Sequence, residues 1–252
     1  MDSLLITRSD EGVLCLTFNR PEKKNALTLE MYHALELALR DAASDNRVRC
    51  VVLQGSERCF TAGNDLAVFL ESGNLDHEHP AIRMLHTLAA FPKPVVAAVC
   101  GVAIGIGTTL LLHCDLVYVA DDAVLQLPFI DLGLVPEFAS SLLLPRTLGH
   151  VRACEWLLLG DAFSGAQAAH AGLANRSLPA NEVLAFAHSQ AVRLAHKPPH
   201  ALRNSKALLK NELKQAVPFT IDLEARAFSQ ALHSEESRQR VSAKLSAISA
   251  KK

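Results

Sequence analysis

A glycine-rich run, Gly101-Val102-Ala103-Ile104-Gly105-Ile106-Gly107, follows an apolar stretch that reads as a strand and opens one that reads as a helix. Phosphate and dinucleotide loops sit in such places, but neither pattern is present. The residue three after Gly107 is Leu110, so GxGxxG fails, and no Gly-Lys-Ser/Thr follows. What remains is backbone chemistry. Glycines let the chain approach a ligand closely, and free N–H groups at a helix start stabilise negative charge. In so apolar a setting, one negative oxygen fits better than a pyrophosphate. A second junction, Ala62-Gly63-Asn64-Asp65-Leu66, could bring another N–H to meet that of Ile106, which would make a two-donor oxyanion hole. Each segment also reads as a turn required only for packing.

Glu137, in Leu134-Val135-Pro136-Glu137-Phe138, gains weight as a candidate only from the family resemblance given below. Its apolar neighbours could hold the carboxyl in a low-dielectric pocket, a common route to a tuned base. The alternative is a first-turn helix acid favoured by the dipole. Other candidates read more simply. Asp76-His77-Glu78-His79 has metal-ligand residue types, but it lies in a polar loop between Gly73 and Pro80, so a solvated loop and no metal are expected. His113, after three leucines, reads as a core histidine. Ser140-Ser141 lacks the Gly-x-Ser-x-Gly elbow of a serine hydrolase.

The elements that must position these residues follow from periodicity. Leu4–Thr7 and Val13–Phe18 read as a hairpin around a Ser9–Gly12 turn. Thr28 is a plausible cap for a helix with Met31, Leu35, Leu39 and Ala42 on one stripe. Val48–Leu53 reads as a strand buried on both faces and Val95–Val99 and Leu116–Ala120 as further strands, with helices at Pro80–Ala90 and Gly105–His113 between them. Strand–helix alternation of this kind predicts a mostly parallel α/β sheet flanked by helices. From Glu137 onward nearly everything reads as helix. Asn181 is expected to cap a helix with Val183, Ala187, Ala191 and Leu194 inward, and Ile221, Ala225, Phe228 and Leu232 mark a later stripe. The chain therefore divides into an α/β core over residues 1–175 and a helical region over 176–252.

Composition narrows the class. The 252 residues are 50% hydrophobic and 20% charged, and 25 Lys+Arg against 26 Asp+Glu leave a net charge of -1. That balance excludes a disordered chain and gives no support to electrostatic nucleic-acid binding. The six cysteines show no paired spacing, so they are expected as small buried groups in a reducing, cytoplasmic setting. Residues 94–112 carry no charge, but Pro94 and the glycines make a strand, turn and buried helix a better reading than a membrane span.

Taken together, the motifs resemble those of the crotonase (enoyl-CoA hydratase/isomerase) superfamily over nearly the whole chain. Asn19–Leu27 looks like its N-terminal motif, and Phe60–Leu66 and Lys93–Gly107 look like its two oxyanion segments. Gly133–Pro136, Leu144-Pro145-Arg146 and Ala168–Leu173 follow in the family's order. The resemblance implies a ββα spiral core with a C-terminal helical trimerisation region, a homotrimer or dimer of trimers, and an acyl-CoA substrate with no separate cofactor. It implies oxyanion donors at the Asn64 and Ile106 N–H groups. It also implies coenzyme A contacts at Lys23, Lys24, Ala26, Ala62, Gly63, Asn64, Asp65, Leu66 and Gly105, with Arg20 close to the phosphates.

Family hydratases use two glutamates, and the matching positions here are Thr109 and Phe129, neither of which titrates near neutrality. With Phe138 they are expected around the acyl pocket. The lone Glu137 most resembles the acid of peroxisomal-type 3-enoyl-CoA to 2-enoyl-CoA isomerases, acting in fatty-acid β-oxidation. Moving a double bond needs only one base, which takes a proton from C2 and returns it at C4. Ring-opening phenylacetate-pathway isomerases are similar but favour aspartate there. Phe138-Ala139 stands where such isomerases carry glycines or small residues, so Phe138 is expected to narrow the pocket. A hydratase, another acyl-CoA lyase or isomerase, or a non-catalytic acyl-CoA-binding scaffold are the alternatives.

Overall fold

The computed structural model describes residues 2–71 and 73–249. In chain order the elements are β1 (Leu4–Arg8), β2 (Val13–Phe18), α1 (Leu29–Ser44), β3 (Cys50–Gln54), α2 (Leu66–Glu71), α3 (Pro80–Ala89), β4 (Val95–Val99), β5 (Val102–Ile104) and α4 (Ile106–Thr109). There follow β6 (Leu116–Ala120), β7 (Val124–Gln126), α5 (Ser140–Leu148), α6 (His150–Cys154), β8 (Phe163–Ser164), α7 (Gly165–Ala171) and β9 (Arg176–Leu178). The chain closes with α8 (Ala180–Ala195), α9 (Pro199–Lys210), α10 (Ala216–Leu232) and α11 (Glu235–Ser249).

The α/β class holds, in two sheets. The larger has the order β1-β2-β3-β4-β6-β9, antiparallel only between β1 and β2 and parallel elsewhere. The smaller has the order β5-β7-β8. Every residue of β4 is buried, as its unbroken apolar run requires, because α8 packs across β3, β4 and β6. Burying each such Val stabilises the fold by roughly 1.5–3 kcal/mol. Thr28 caps α1 as expected, its hydroxyl accepting from the Met31 N–H at 3.4 Å, and Met31, Leu35, Leu39 and Ala42 are buried.

Several expectations need correction. The strand predicted from Val48 begins at Cys50, because the Val48 N–H closes a turn onto the Asp45 carbonyl at 2.9 Å. The helix predicted over Gly105–His113 is α-helical only to Thr109 and tightens into a 3₁₀ turn over Leu110–His113. The region after Glu137 is not all helical: β8 joins the small sheet, and β9 completes the large one just past residue 175. Asn181 does not cap α8. Pro179 stands there, and Ala195 rather than Leu194 ends the buried stripe. Among the described residues no helix is long and apolar enough to cross a membrane.

Candidate active site

The two junctions singled out by their glycines lie side by side. Thr61 and Ala103 form a parallel bridge, with the Thr61 N–H on the Val102 carbonyl at 3.0 Å and the Ile104 N–H on the Thr61 carbonyl at 3.1 Å. The chains therefore run together into Asn64 and Ile106. Gly63 makes the close approach possible. It has φ 89°, and a Cβ there would stand 2.6 Å from the Ile104 carbonyl oxygen. Gly105, at φ 55°, borders open space, where a Cβ would meet only the Phe129 ring edge at 4.0 Å. The amides of Asn64 and Ile106 have no hydrogen-bond acceptor among the described residues, and both residues line one cavity of about 460 Å³.

A clasp built on Asn25 holds this arrangement. The Asn25 amide donates to the Cys59 and Phe60 carbonyls, each at 3.0 Å, and its side-chain oxygen accepts from the Arg20 N–H at 2.8 Å. The Thr61 hydroxyl donates to the Asn25 carbonyl at 2.6 Å and accepts from the Gly63 N–H at 3.1 Å. A buried Asn with this many partners fixes the loop 20–26 against the strand that leads to Asn64. The motif Asn19–Leu27 contains this residue but gave it no role, because an Asn in a polar stretch reads as a turn.

Lys23, Lys24, Ala26, Ala62, Gly63, Asn64, Asp65, Leu66 and Gly105 all line the large cavity, together with Phe129 and Ile106. Lys244 and Leu245 of α11 line it too and were not foreseen. Arg20 is different. Its guanidinium donates to Asp65 at 2.7 Å and to the Ala26 carbonyl at 3.0 Å, so it braces the loop instead of lying open for a phosphate.

Glu137 opens onto a smaller pocket of about 20 Å³, with Tyr32, Asn64, Phe69, Phe138, Ile221 and Phe228 among its walls. Asn64 and Phe228 border both spaces, so the two adjoin. Thr109 lines neither: it is fully buried, and its hydroxyl donates to Glu137 Oε1 at 2.5 Å. Burial pushes the Glu137 carboxyl up to about 8, against the Thr109 hydrogen bond, which lowers it, and with help from the Glu224 carboxylate. The Tyr32 hydroxyl donates to Asn64 Oδ1 at 2.5 Å, which ties the wall of the small pocket to a residue that also lines the large cavity.

Behind Glu137 the chain turns sharply. Phe138 and Ala139 both take left-handed backbone, at φ 61° and 56°, which for residues with a Cβ costs about 1–2 kcal/mol each. Phe138 borders the small pocket, while its ring stacks on His113 at 3.8 Å. The His113 Nε2–H donates to the Phe138 carbonyl at 2.8 Å, and burial pushes this imidazole down to about 3, so it stays neutral. It is the core histidine the sequence suggested.

The acidic and histidine loop divides. His79, expected in solvent, is buried and caps α3, its Nδ1 accepting from the Ala81 N–H at 3.2 Å. His77 stays exposed, with Nδ1 3.7 Å from Asp222 Oδ1, which also lies 2.8 Å from His86 Nε2. Among the described residues these three are the group that could hold a metal ion.

A family model described as enoyl-CoA hydratase/isomerase matches residues 8–246. Enoyl-CoA delta isomerase 2 of Rattus norvegicus is 36% identical over 217 residues, which are 84% of this chain and 55% of that protein, so the chain spans about half that relative's length. A probable enoyl-CoA hydratase of Bacillus subtilis (strain 168) is 33% identical over 239 residues, covering 93% and 92%. Among solved structures, that of OdaA from Pseudomonas aeruginosa superposes with a TM-score of 0.94 at 46% identity, covering 96% and 98% of the two chains.

Proposed function

The chain belongs to the enoyl-CoA hydratase/isomerase family, in the crotonase superfamily, and on that premise we propose that it moves the double bond of a 3-enoyl-CoA to the 2-position. The observation that carries this reading is the buried carboxyl of Glu137, which borders the small pocket and is bonded to Thr109 in the place where a hydratase would hold a second acid. Hydration needs one group to activate water and another to handle the α-proton. Isomerisation needs one base that later returns its proton.

The thioester oxygen would sit between the Asn64 and Ile106 amides, where negative charge developing on it is stabilised by donors already in position. Glu137 would take the proton from C2, and the resulting dienolate would accept it back at C4. A carboxyl near 8 suits a shuttle, because close to its pKa the group both accepts and releases a proton readily. Lys23 and Lys24 at the rim of the large cavity are the side chains we assign to the nucleotide phosphates.

The test is Glu137→Gln assayed with a 3-enoyl-CoA. A loss of activity of several orders of magnitude is expected, and retention of most of it would defeat the reading. Hydration of crotonyl-CoA at rates comparable to isomerisation would favour the hydratase alternative. Stabilisation by acyl-CoAs without turnover of any enoyl-CoA would select a binding scaffold. A homotrimer or dimer of trimers completes the proposal, supported by Leu208, Leu209 and Phe219, large apolar side chains left exposed along α9 and α10.

A further inference from the structure

We propose that Glu224, on α10, is a positioning residue for Glu137: its carboxylate occupies the donors at the start of α5 and so holds the left-handed turn that aims Glu137 into the pocket. The inference rests on the isomerase reading above.

The geometry is specific. Glu224 Oε2 accepts from the Ala139 N–H at 2.5 Å, and Oε1 accepts from both the N–H and the hydroxyl of Ser141, at 2.9 and 2.5 Å. The first amides of a helix have no partner within it, and buried without one they destabilise the fold. Here the Ala139 amide lies within, and the Ser141 amide just after, two consecutive left-handed residues with side chains, Phe138 and Ala139, a turn that local preference opposes. The Ser140 N–H between them turns to the Glu137 carbonyl at 3.2 Å, and the Ala139 and Ser141 amides are left to meet one anion. Glu224 supplies that anion from 83 to 85 residues away in sequence. The same helix presents Ile221, Ala225 and Phe228 to the small pocket, so the pocket wall and the base are held by one rigid element.

Both carboxylate oxygens are engaged by donors, so a glutamine would oppose its NH₂ to an N–H. Burial pushes the Glu224 carboxyl up, and the Ser141 and Ala139 donors pull it back. Of the groups around Glu137, Thr109 gives a hydroxyl, Tyr32 a buried phenol, Glu224 a carboxylate, and His113 behind Phe138 is neutral. Removing the Glu224 charge therefore lowers the pKa of Glu137.

The experiment compares wild type with Glu224→Gln on a 3-enoyl-CoA across pH. We expect kcat to fall on the order of 10- to 100-fold, as for a catalytic group moved by a fraction of an ångström to an ångström, with KM little changed. The lower pKa of the kcat/KM profile should move down. Adding Ala139→Gly to Glu224→Gln should restore activity several-fold, because glycine adopts the left-handed backbone without support. Unchanged kcat, or a fall that matches a smaller folded fraction with the pKa unmoved, would overturn the assignment. Should Glu224→Gln not fold, Ser141→Ala removes one donor only; it should lower kcat by a smaller factor, and wild-type kcat would count against the proposal. The protonated-carboxyl infrared band of Glu137, identified by its loss in Glu137→Gln, should titrate at lower pH in Glu224→Gln without substrate. That readout judges Glu224 even if wild type proves inactive on every 3-enoyl-CoA, a result that would remove the isomerase reading instead.

Discussion

The hydroxyl of Thr109 and the carboxyl of Glu137 meet at 2.5 Å in a buried contact, although 28 residues separate them. A neutral hydroxyl thus donates to the carboxyl and lowers its pKa against the effect of burial.

Thr109→Val should therefore raise the pKa of Glu137 further, since the hydrogen bond lowers it. Losing such a bond to a charged group is worth about 1.5–3 kcal/mol. At pH 7 kcat/KM should fall by roughly a factor of ten or more, and much of the loss should return by pH 9. A pH profile that keeps its wild-type midpoint would show that Thr109 does not tune the base.

The same carboxyl makes stability depend on pH with a definite sign. Its folded pKa of about 8 lies above the ordinary 4.5, so between those values the folded state binds more protons than the unfolded chain. This contribution to stability is fully present below pH 4.5 and is lost as pH rises through 8, at up to about 1.4 kcal/mol per unit. Glu137→Gln, neutral at every pH, should show a Tm advantage over wild type that grows from pH 5 to pH 8. A constant difference across that range would contradict the buried-acid picture.

The two cavity glycines should fail differently. Gly63→Ala drives a Cβ to 2.6 Å from the Ile104 carbonyl oxygen, so it should destabilise the protein by about 1–3 kcal/mol in denaturant melts and lower activity with it. Gly105→Ala meets only the Phe129 edge at 4.0 Å, so its penalty should be little more than backbone strain, and its larger effect should fall on KM. Equal losses of stability would mean that the strands do not approach as described.

The basic residues of the first motif should separate as well. Arg20→Gln breaks the contacts to Asp65 and the Ala26 carbonyl, so Tm should drop along with activity. Lys23→Ala and Lys24→Ala should leave Tm nearly unchanged and raise KM, with an effect that shrinks as salt rises. A salt-independent KM would remove these lysines from phosphate recognition.

Much of the frame was legible because its signal is local. A capping Thr28, the stripe Met31–Ala42 and the unbroken apolar run Val95–Val99 each announce their element within a few residues. The short strands β8 and β9 were missed because two or three residues carry no period, and pairing with a distant neighbour decides them. The site divides in the same way. Gly63, Asn64, Gly105 and Ile106 stand out by type and order, whereas Asn25 and Glu224 look like ordinary surface polar residues until their partners, more than 30 and 80 residues away, are known.

By itself the sequence determined the class of fold, the two glycine junctions and the apolar neighbours of Glu137, since each depends on residues adjacent in the chain. Only tertiary structure decided the state of that acid. Its carboxyl is pushed up to about 8 because burial strips its water away while Thr109 and Glu224, from separate elements, act on it in opposite directions. Desolvation and charge act through space, and no spacing along the chain encodes them.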